Sequence, residues 1–140
     1  MSAEHFIDTN IFIYHLDTTD ARKHRQAETI VRNALATGQG CISTQVAQEC
    51  LNVALRKAKV ALSPKAAHQY LEVVLAPLIQ VVTTASLLAR AMDNQVRWGF
   101  SFYDSLIIAG AQIAGCRLLY SEDLQHDQDL DGLRVVNPFA

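Results

Sequence analysis

His5-Phe6-Ile7-Asp8-Thr9-Asn10-Ile11-Phe12 holds the change of pattern that decides the fold class. His5 to Ile7 reads as a short apolar strand, Asp8-Thr9-Asn10 as a polar break, and Ile11 to Leu16 as a short helix. The same alternation continues outward. From Asp20 to about Ala36 the periodicity is helical, and Thr37-Gly38-Gln39-Gly40 ends it as a glycine stop. Cys41-Ile42-Ser43 is a second strand, after which Thr44 is expected to cap a long helix from Gln45 to about Val60. Ser63-Pro64 supplies an N-cap and an N1 proline for a helix to about Ala76. Leu78 to Val82 is a third strand, and Thr84 opens a helix to about Trp98. Ser101 to Gly115 is a further helix, nearly all apolar from Leu106 on and so predicted to be buried. Arg117 to Tyr120 and Arg134-Val135-Val136 complete the strands. Short apolar strands alternating with longer helices predict an α/β sandwich around a parallel sheet. No repeat, low-complexity tract or linker divides residues 1–140, which read as a single domain.

Composition narrows the class. Half of the residues are apolar and 19% are charged, a globular balance. No apolar run approaches the roughly 18–20 residues needed to cross a bilayer, so no membrane association is expected. Met1-Ser2-Ala3-Glu4-His5 lacks the basic start and apolar stretch of a signal peptide. Cys41, Cys50 and Cys116 are odd in number and lack metal-type spacing, which predicts reduced thiols in the cytoplasm. The formal net charge of −2 gives nucleic acid little general attraction. Setting aside the four acids singled out below leaves ten acids against twelve bases, so an acidic centre with a modestly basic rim is compatible with it.

In parallel sheets ligands sit beyond the carboxyl ends of the strands, and Asp8 and Asp123 both follow a predicted strand. A turn made by Asp8 with Thr9 would explain the first equally well, with Asn10 bracing it. Glu49 lies on a polar stripe with Gln45, Asn52 and Arg56, flanking the apolar Val46, Cys50, Val53 and Ala54. No Lys or Arg stands three or four residues from it, which excludes a local helix ion pair but not a solvated glutamate. Asp104 closes Ser101-Phe102-Tyr103-Asp104, which resembles a capping box, yet the apolar run that follows sets this turn near the core. Asp123 could be a turn aspartate, with Ser121 as its hydrogen-bonding partner. Together the four acids stand at two strand ends and near two helix starts. Carboxylates gathered there repel one another unless cations offset the charge. Mg²⁺ or Mn²⁺, one or two ions, suits oxygen ligands and the chemistry of phosphodiester cleavage.

Other motifs carry less. Asp127-Gln128-Asp129-Leu130-Asp131-Gly132 imitates the start of an EF-hand, but the twelfth position is Pro138, leaving a solvated acidic turn. The five histidines show no HExxH or i,i+4 pair, and no GxSxG or glycine-rich phosphate loop is present. A receiver domain would need a lysine after a late strand, and the last lysine is Lys65. Arg56, Lys57 and Lys59 could contact an RNA backbone or simply complete a solvated helix end. Trp98, Phe100, Phe102 and Tyr103 could stack on bases, against the commoner role of aromatics in packing.

Phe6-Ile7-Asp8-Thr9-Asn10-Ile11-Phe12 resembles the opening signature of PIN domains, and Ser43-Thr44-Gln45 leading to Glu49 resembles their second motif. Phe102-Tyr103-Asp104-Ser105-Leu106-Ile107 with Ala109 resembles the third motif. Leu118-Leu119-Tyr120-Ser121-Glu122-Asp123-Leu124 resembles the fourth, and Val136-Asn137-Pro138-Phe139 a tail common in one branch. Size and ending are most similar to VapC-type toxins of bacterial toxin–antitoxin modules. The resemblance implies a three-layer α/β/α fold with a central parallel sheet and Mg²⁺- or Mn²⁺-dependent endoribonuclease activity on RNA. It also implies a homodimer and a cognate antitoxin that joins it in a hetero-oligomer and blocks the site. Asp8 and Asp104 would be the main metal ligands, Asp123 an additional one, and Glu49 a ligand through water or an aid in polarising it. Thr9, Asn10 and Ser121 would be the supporting polar residues. Relatives often have a glycine turn after the fourth motif, where this chain has Asp127. Two other readings stay open: a non-catalytic PIN-like binding module, and a free-standing nuclease without an antitoxin.

Overall fold

The computed structural model describes residues 3–56 and 61–140. Its elements, in chain order, begin with β1 (His5–Ile7), α1 (Thr9–Leu16), α2 (Ala21–Thr37), β2 (Gly40–Ser43) and α3 (Thr44–Arg56). There follow α4 (Pro64–Tyr70), a single π turn over Leu71–Leu75, α5 (Ala76–Leu78), β3 (Ile79–Val81), α6 (Ala85–Trp98) and α7 (Phe102–Ile113). Strands β4 (Leu118–Tyr120), β5 (Asp129–Leu130) and β6 (Leu133–Val136) complete it.

Side-chain caps fix most helix starts, because the first-turn N–H groups have no partner within a helix. Asp20 accepts from the Lys23 N–H, Ser63 from Ala66, Thr84 from Leu87 and Ser101 from Asp104. For α3 the cap is Ser43, whose hydroxyl accepts from the Val46 N–H at 3.4 Å, one residue before the expected Thr44. The predicted end of that helix at Val60 lies outside the described residues. The helix expected from Ser63 to Ala76 is widened at Leu71–Leu75. Pro77 explains this: it offers no N–H to the carbonyl four residues back, and its ring presses on that carbonyl.

The strands form one sheet in the order β3-β2-β1-β4-β6-β5. All neighbouring pairs are parallel except β5–β6. His5 lies opposite Gly40 on one side and Leu118 on the other, so β1 is central. Alternate side chains of a strand point to opposite faces, and β1 shows both. A Cβ on Gly110 of α7 would lie 3.2 Å from the Phe6 ring, whereas a Cβ on Gly40 would collide with Ala34 of α2 and come within 3.2 Å of Ile7. Phe6 therefore faces α7 and Ile7 faces α2. The result is a three-layer α/β/α fold with a mostly parallel sheet. Val81, Leu87, Ala91, Leu106 and Ala109 form a smaller apolar cluster between α6 and α7.

The stretch read as a solvated acidic turn is a hairpin. Asp131 and Gly132 adopt φ of 57° and 95°, the left-handed pair that closes two twisted strands, and the Asp129 carboxylate accepts the Gly132 N–H at 2.7 Å. The strand expected last becomes β6, with β5 added at the sheet edge. Asp127, where relatives have a glycine turn, takes that conformation itself, with φ 66°. Cys41, Cys50 and Cys116 are buried free thiols. Among the described residues no helix is long and apolar enough to cross a membrane.

Candidate active site

Asp8 follows β1, and its N–H donates to the Tyr120 carbonyl at 2.9 Å, so the ends of two adjacent parallel strands fix its place. Its side chain caps α1, with Oδ1 accepting the Thr9 N–H at 2.7 Å and Oδ2 accepting the Ser121 hydroxyl at 2.9 Å. The turn reading of Asp8 is therefore true as far as it goes. It is also buried, with 6% of its surface exposed. Burial pushes its carboxyl up to about 7, against the pull of the Thr9 and Ser121 hydrogen bonds and with help from the Asp123 and Glu49 charges.

Glu49 is not a solvated helix glutamate. Its Oε2 accepts the Thr9 hydroxyl at 2.8 Å, and its Oε1 accepts the Gln45 side-chain amide at 2.9 Å. Gln45 also donates to the Tyr103 carbonyl at 3.3 Å, tying α3 to the start of α7. Asp104 sits in the first turn of α7, where its N–H takes the Ser101 cap at 3.1 Å and leaves the carboxylate to the cleft. Asp123 accepts from the Asn10 amide at 2.9 Å, and its own N–H donates to Ser121 at 3.3 Å. Partial burial, then the neighbouring Asp104 charge, raises the Asp123 carboxyl above its ordinary range, while Asn10 pulls it down.

Asp8, Glu49, Asp104 and Asp123 all line one cleft of about 300 Å³. The supporting polar residues bridge between them. Thr9 serves Asp8 with its N–H and Glu49 with its hydroxyl. Ser121 donates to Asp8 and accepts from the Asp123 backbone. Asn10 does not brace its own turn as expected but reaches across to Asp123.

Other expectations fall elsewhere. Arg56 is exposed at the far end of the α3 stripe, where it donates weakly to Asn52 at 3.5 Å, and Lys57 and Lys59 lie outside the described residues. Trp98, Phe100 and Phe102 are partly buried against the apolar clusters. Tyr103 alone of the four aromatics is open, 68% exposed, and forms part of the cleft wall. The double role of Gln45 was missed, although its i,i+4 spacing to Glu49 signals the first of its two bonds.

The donor set of the cleft is four carboxylates, hydroxyls and amides, with no histidine or cysteine. Such oxygen ligands suit a hard divalent cation, and their crowded negative charge gives one a reason to bind. Among the described residues no three acidic, histidine or cysteine side chains stand close enough together to enclose an ion as they are. An ion of the Mg²⁺ type still fits, since it is commonly held by one or two carboxylates with water and phosphate completing its shell.

Comparison with known proteins bears on this arrangement. No curated protein sequence matches the chain. Among solved structures, the chain is similar in fold to one in a toxin–antitoxin complex from Klebsiella pneumoniae, with a TM-score of 0.67 and 19% identity over 96% of this chain and 98% of that one. It is also similar to VapC20 of Mycobacterium tuberculosis, a toxin that cleaves the sarcin–ricin loop. There the TM-score is 0.62 and the identity 24%, over 86% of this chain and 90% of that one. At these identities the likeness is one of fold. The family model of the PIN domain matches residues 5–128, a span running from the first residue of β1 past the last of the four acids, and the chain therefore belongs to the PIN-domain family.

Proposed function

We propose that this PIN-domain protein is a divalent-metal-dependent endoribonuclease that acts in the cytoplasm as the toxin of a toxin–antitoxin pair. One observation carries the reading: four carboxylates from four distant segments line one cleft at the carboxyl ends of the central strands. Asp8 and Asp104 would be the principal ligands of Mg²⁺ or Mn²⁺, with Asp123 as a further ligand. One or two bound ions would supply the positive charge that draws in the scissile phosphate and makes water acidic enough to attack in line. Glu49 would hold an ion through water or help to polarise that water, and Thr9 and Gln45 hold its two oxygens in place for this. The Ser121 and Thr9 hydrogen bonds keep Asp8 nearer to ionisation than its burial alone would allow. Arg56, Lys57 and Lys59 lie beyond Glu49 along the chain and offer phosphate contacts to RNA.

The relatives support the biological setting. One solved structure of similar fold belongs to a toxin–antitoxin complex and another is a toxin that cleaves an RNA loop. By extension this chain forms a homodimer and a hetero-oligomer with its antitoxin, which places a basic side chain among the acids.

Purified protein incubated with a panel of RNAs, with Mg²⁺, with Mn²⁺ and with chelator, tests the proposal. Cleavage should require the metal and fall at least about 100-fold in Asp104→Asn, since even partners one step behind a ligand are commonly worth 10–100-fold. Binding of RNA without cleavage under either metal would replace the nuclease by a non-catalytic binding module. Metal-dependent cleavage by a protein that recruits no antitoxin would leave a free-standing nuclease.

A further inference from the structure

Ser121-Glu122-Asp123 sends three consecutive side chains in three directions. Ser121 is fully buried and bonds to Asp8, while Asp123 meets Asn10 at the cleft. Glu122 turns away from the cleft, toward α1 and α2. Its Oε1 accepts the Tyr14 hydroxyl at 2.8 Å, and its Oε2 accepts the Lys23 ammonium at 2.7 Å. The three groups close a ring, because Lys23 also donates to the Tyr14 hydroxyl at 3.1 Å. The Phe139 ring meets Tyr14 edge-on, with centroids 4.9 Å apart, and Lys23 lies 5.5 Å from its centroid. Arg22 holds the Phe139 carbonyl at 2.8 Å. Both oxygens of Glu122 are thus occupied on the side opposite the acids.

An ion pair whose side chains are 27% and 25% exposed adds little to stability. Its effect on direction is larger. With Glu122 anchored between two helices, the backbone on either side cannot rotate without breaking two charge-assisted hydrogen bonds. Ser121 and Asp123 are held facing the cleft as a consequence. The Glu122 charge also acts on Asp123, and the Lys23 ammonium offsets it at contact distance. Without Lys23 one of the two bonds that anchor Glu122 is lost, and the backbone that carries Asp123 is held on this side by Tyr14 alone.

On the nuclease reading given above, we propose that Tyr14 and Lys23 are positioning residues: by clamping Glu122 they fix the orientation of Asp123 and set the affinity of the cleft for its cation. Neither touches the reacting atoms, so the effect belongs in cation affinity and not in the rate at saturating metal.

The test uses the full chain with Mn²⁺ as the probe, read by calorimetric titration without RNA and by cleavage rate against Mn²⁺ concentration. Lys23→Met should raise the half-saturating Mn²⁺ about tenfold, the low end of what outer partners of a metal site contribute. The rate at saturating Mn²⁺ should stay near wild type, and the melting midpoint should move by only a few degrees, on the order of 2–4 °C per kcal/mol for a domain of this size. Lys23→Arg, which keeps the charge and the donor, should restore affinity, and Tyr14→Phe should give a smaller shift in the same direction. Wild-type Mn²⁺ affinity in a folded Lys23→Met, or an equal loss in Lys23→Arg, overturns the clamp. If Lys23→Met fails to fold, an unshifted Tyr14→Phe overturns it instead. A wild-type protein that neither binds Mn²⁺ nor cleaves RNA removes the nuclease reading and the clamp with it. A wild-type protein that does both, beside an unaffected Lys23→Met, removes the clamp alone.

Discussion

Asp8 is a carboxyl group placed where its own ionisation opposes the fold. In the unfolded chain it titrates near 3.8, and in the folded protein burial raises it to about 7. The sign of the stability effect follows from proton counts. Below the unfolded value both states are protonated, and the folded state bears no charge at that position. Between about 4 and 7 the unfolded chain releases its proton while the folded one retains it, so stability falls as pH rises, by up to about 4 kcal/mol for a shift of this size. Above about 7 the loss is complete. A divalent cation that binds only the ionised folded state works against this loss. In chelator the melting midpoint should therefore drop between pH 5 and 7.5, and added Mg²⁺ should recover most of it. Asp8→Asn should flatten the curve and remove the Mg²⁺ effect. A midpoint that rises over this interval in chelator would contradict the burial of an acid at this position.

At the scale of elements, β2 and α2 cross where Gly40 leaves no room for a Cβ beside Ala34. Gly40→Ala should lower stability by roughly 1–3 kcal/mol through overpacking, visible as a lower denaturant midpoint. Gly38→Ala offers a contrast. Nothing lies within 4 Å of a Cβ there, but φ is 71°. It should lose about 1 kcal/mol through backbone strain alone. The two glycines look alike in the sequence and differ in what they do, which marks the boundary of what was legible. Strands β1 to β4, the caps at Ser63, Thr84 and Ser101 and the stop at Gly38 are local signals, and they read correctly. The edge strand β5 was missed because Asp-Gly between Leu130 and Leu133 was weighed as a solvated acidic turn and not as the close of a hairpin, which its left-handed preference makes it. The π turn needed the carbonyl behind Pro77, a neighbour on the helix and not in the motif. Strand ends and helix starts placed the four acids in the sequence. Their bridges, Asn10 to Asp123 and Thr9 to Glu49, join residues 113 and 40 positions apart, and no local pattern encodes those.

For the whole molecule, a formal charge of −2 gives RNA little general attraction, so on the proposed reading recognition would rest on the bound cation and on short basic stretches. A partner that brings its own positive charge to the cleft then competes for the same acids. On the toxin reading, adding a peptide from the antitoxin's tail should raise the Mn²⁺ concentration needed for half-saturation, and an unaltered metal affinity would count against inhibition by charge replacement. The order of the strands has a further consequence, for the time before folding ends. β1 lies between β2 and β4, so the strand that leads into Asp8 waits for a neighbour more than a hundred residues later in the chain. While the ribosome is still making residues 9–117, Asp8 is a solvated acid with no hydroxyl from Ser121 and no companion carboxylate at 123. On the proposed nuclease reading, a chain made only as far as residue 117 holds no assembled centre to turn on the message being read or on the machine that reads it. The cleft is whole only once Asp123 has joined Asp8, Glu49 and Asp104.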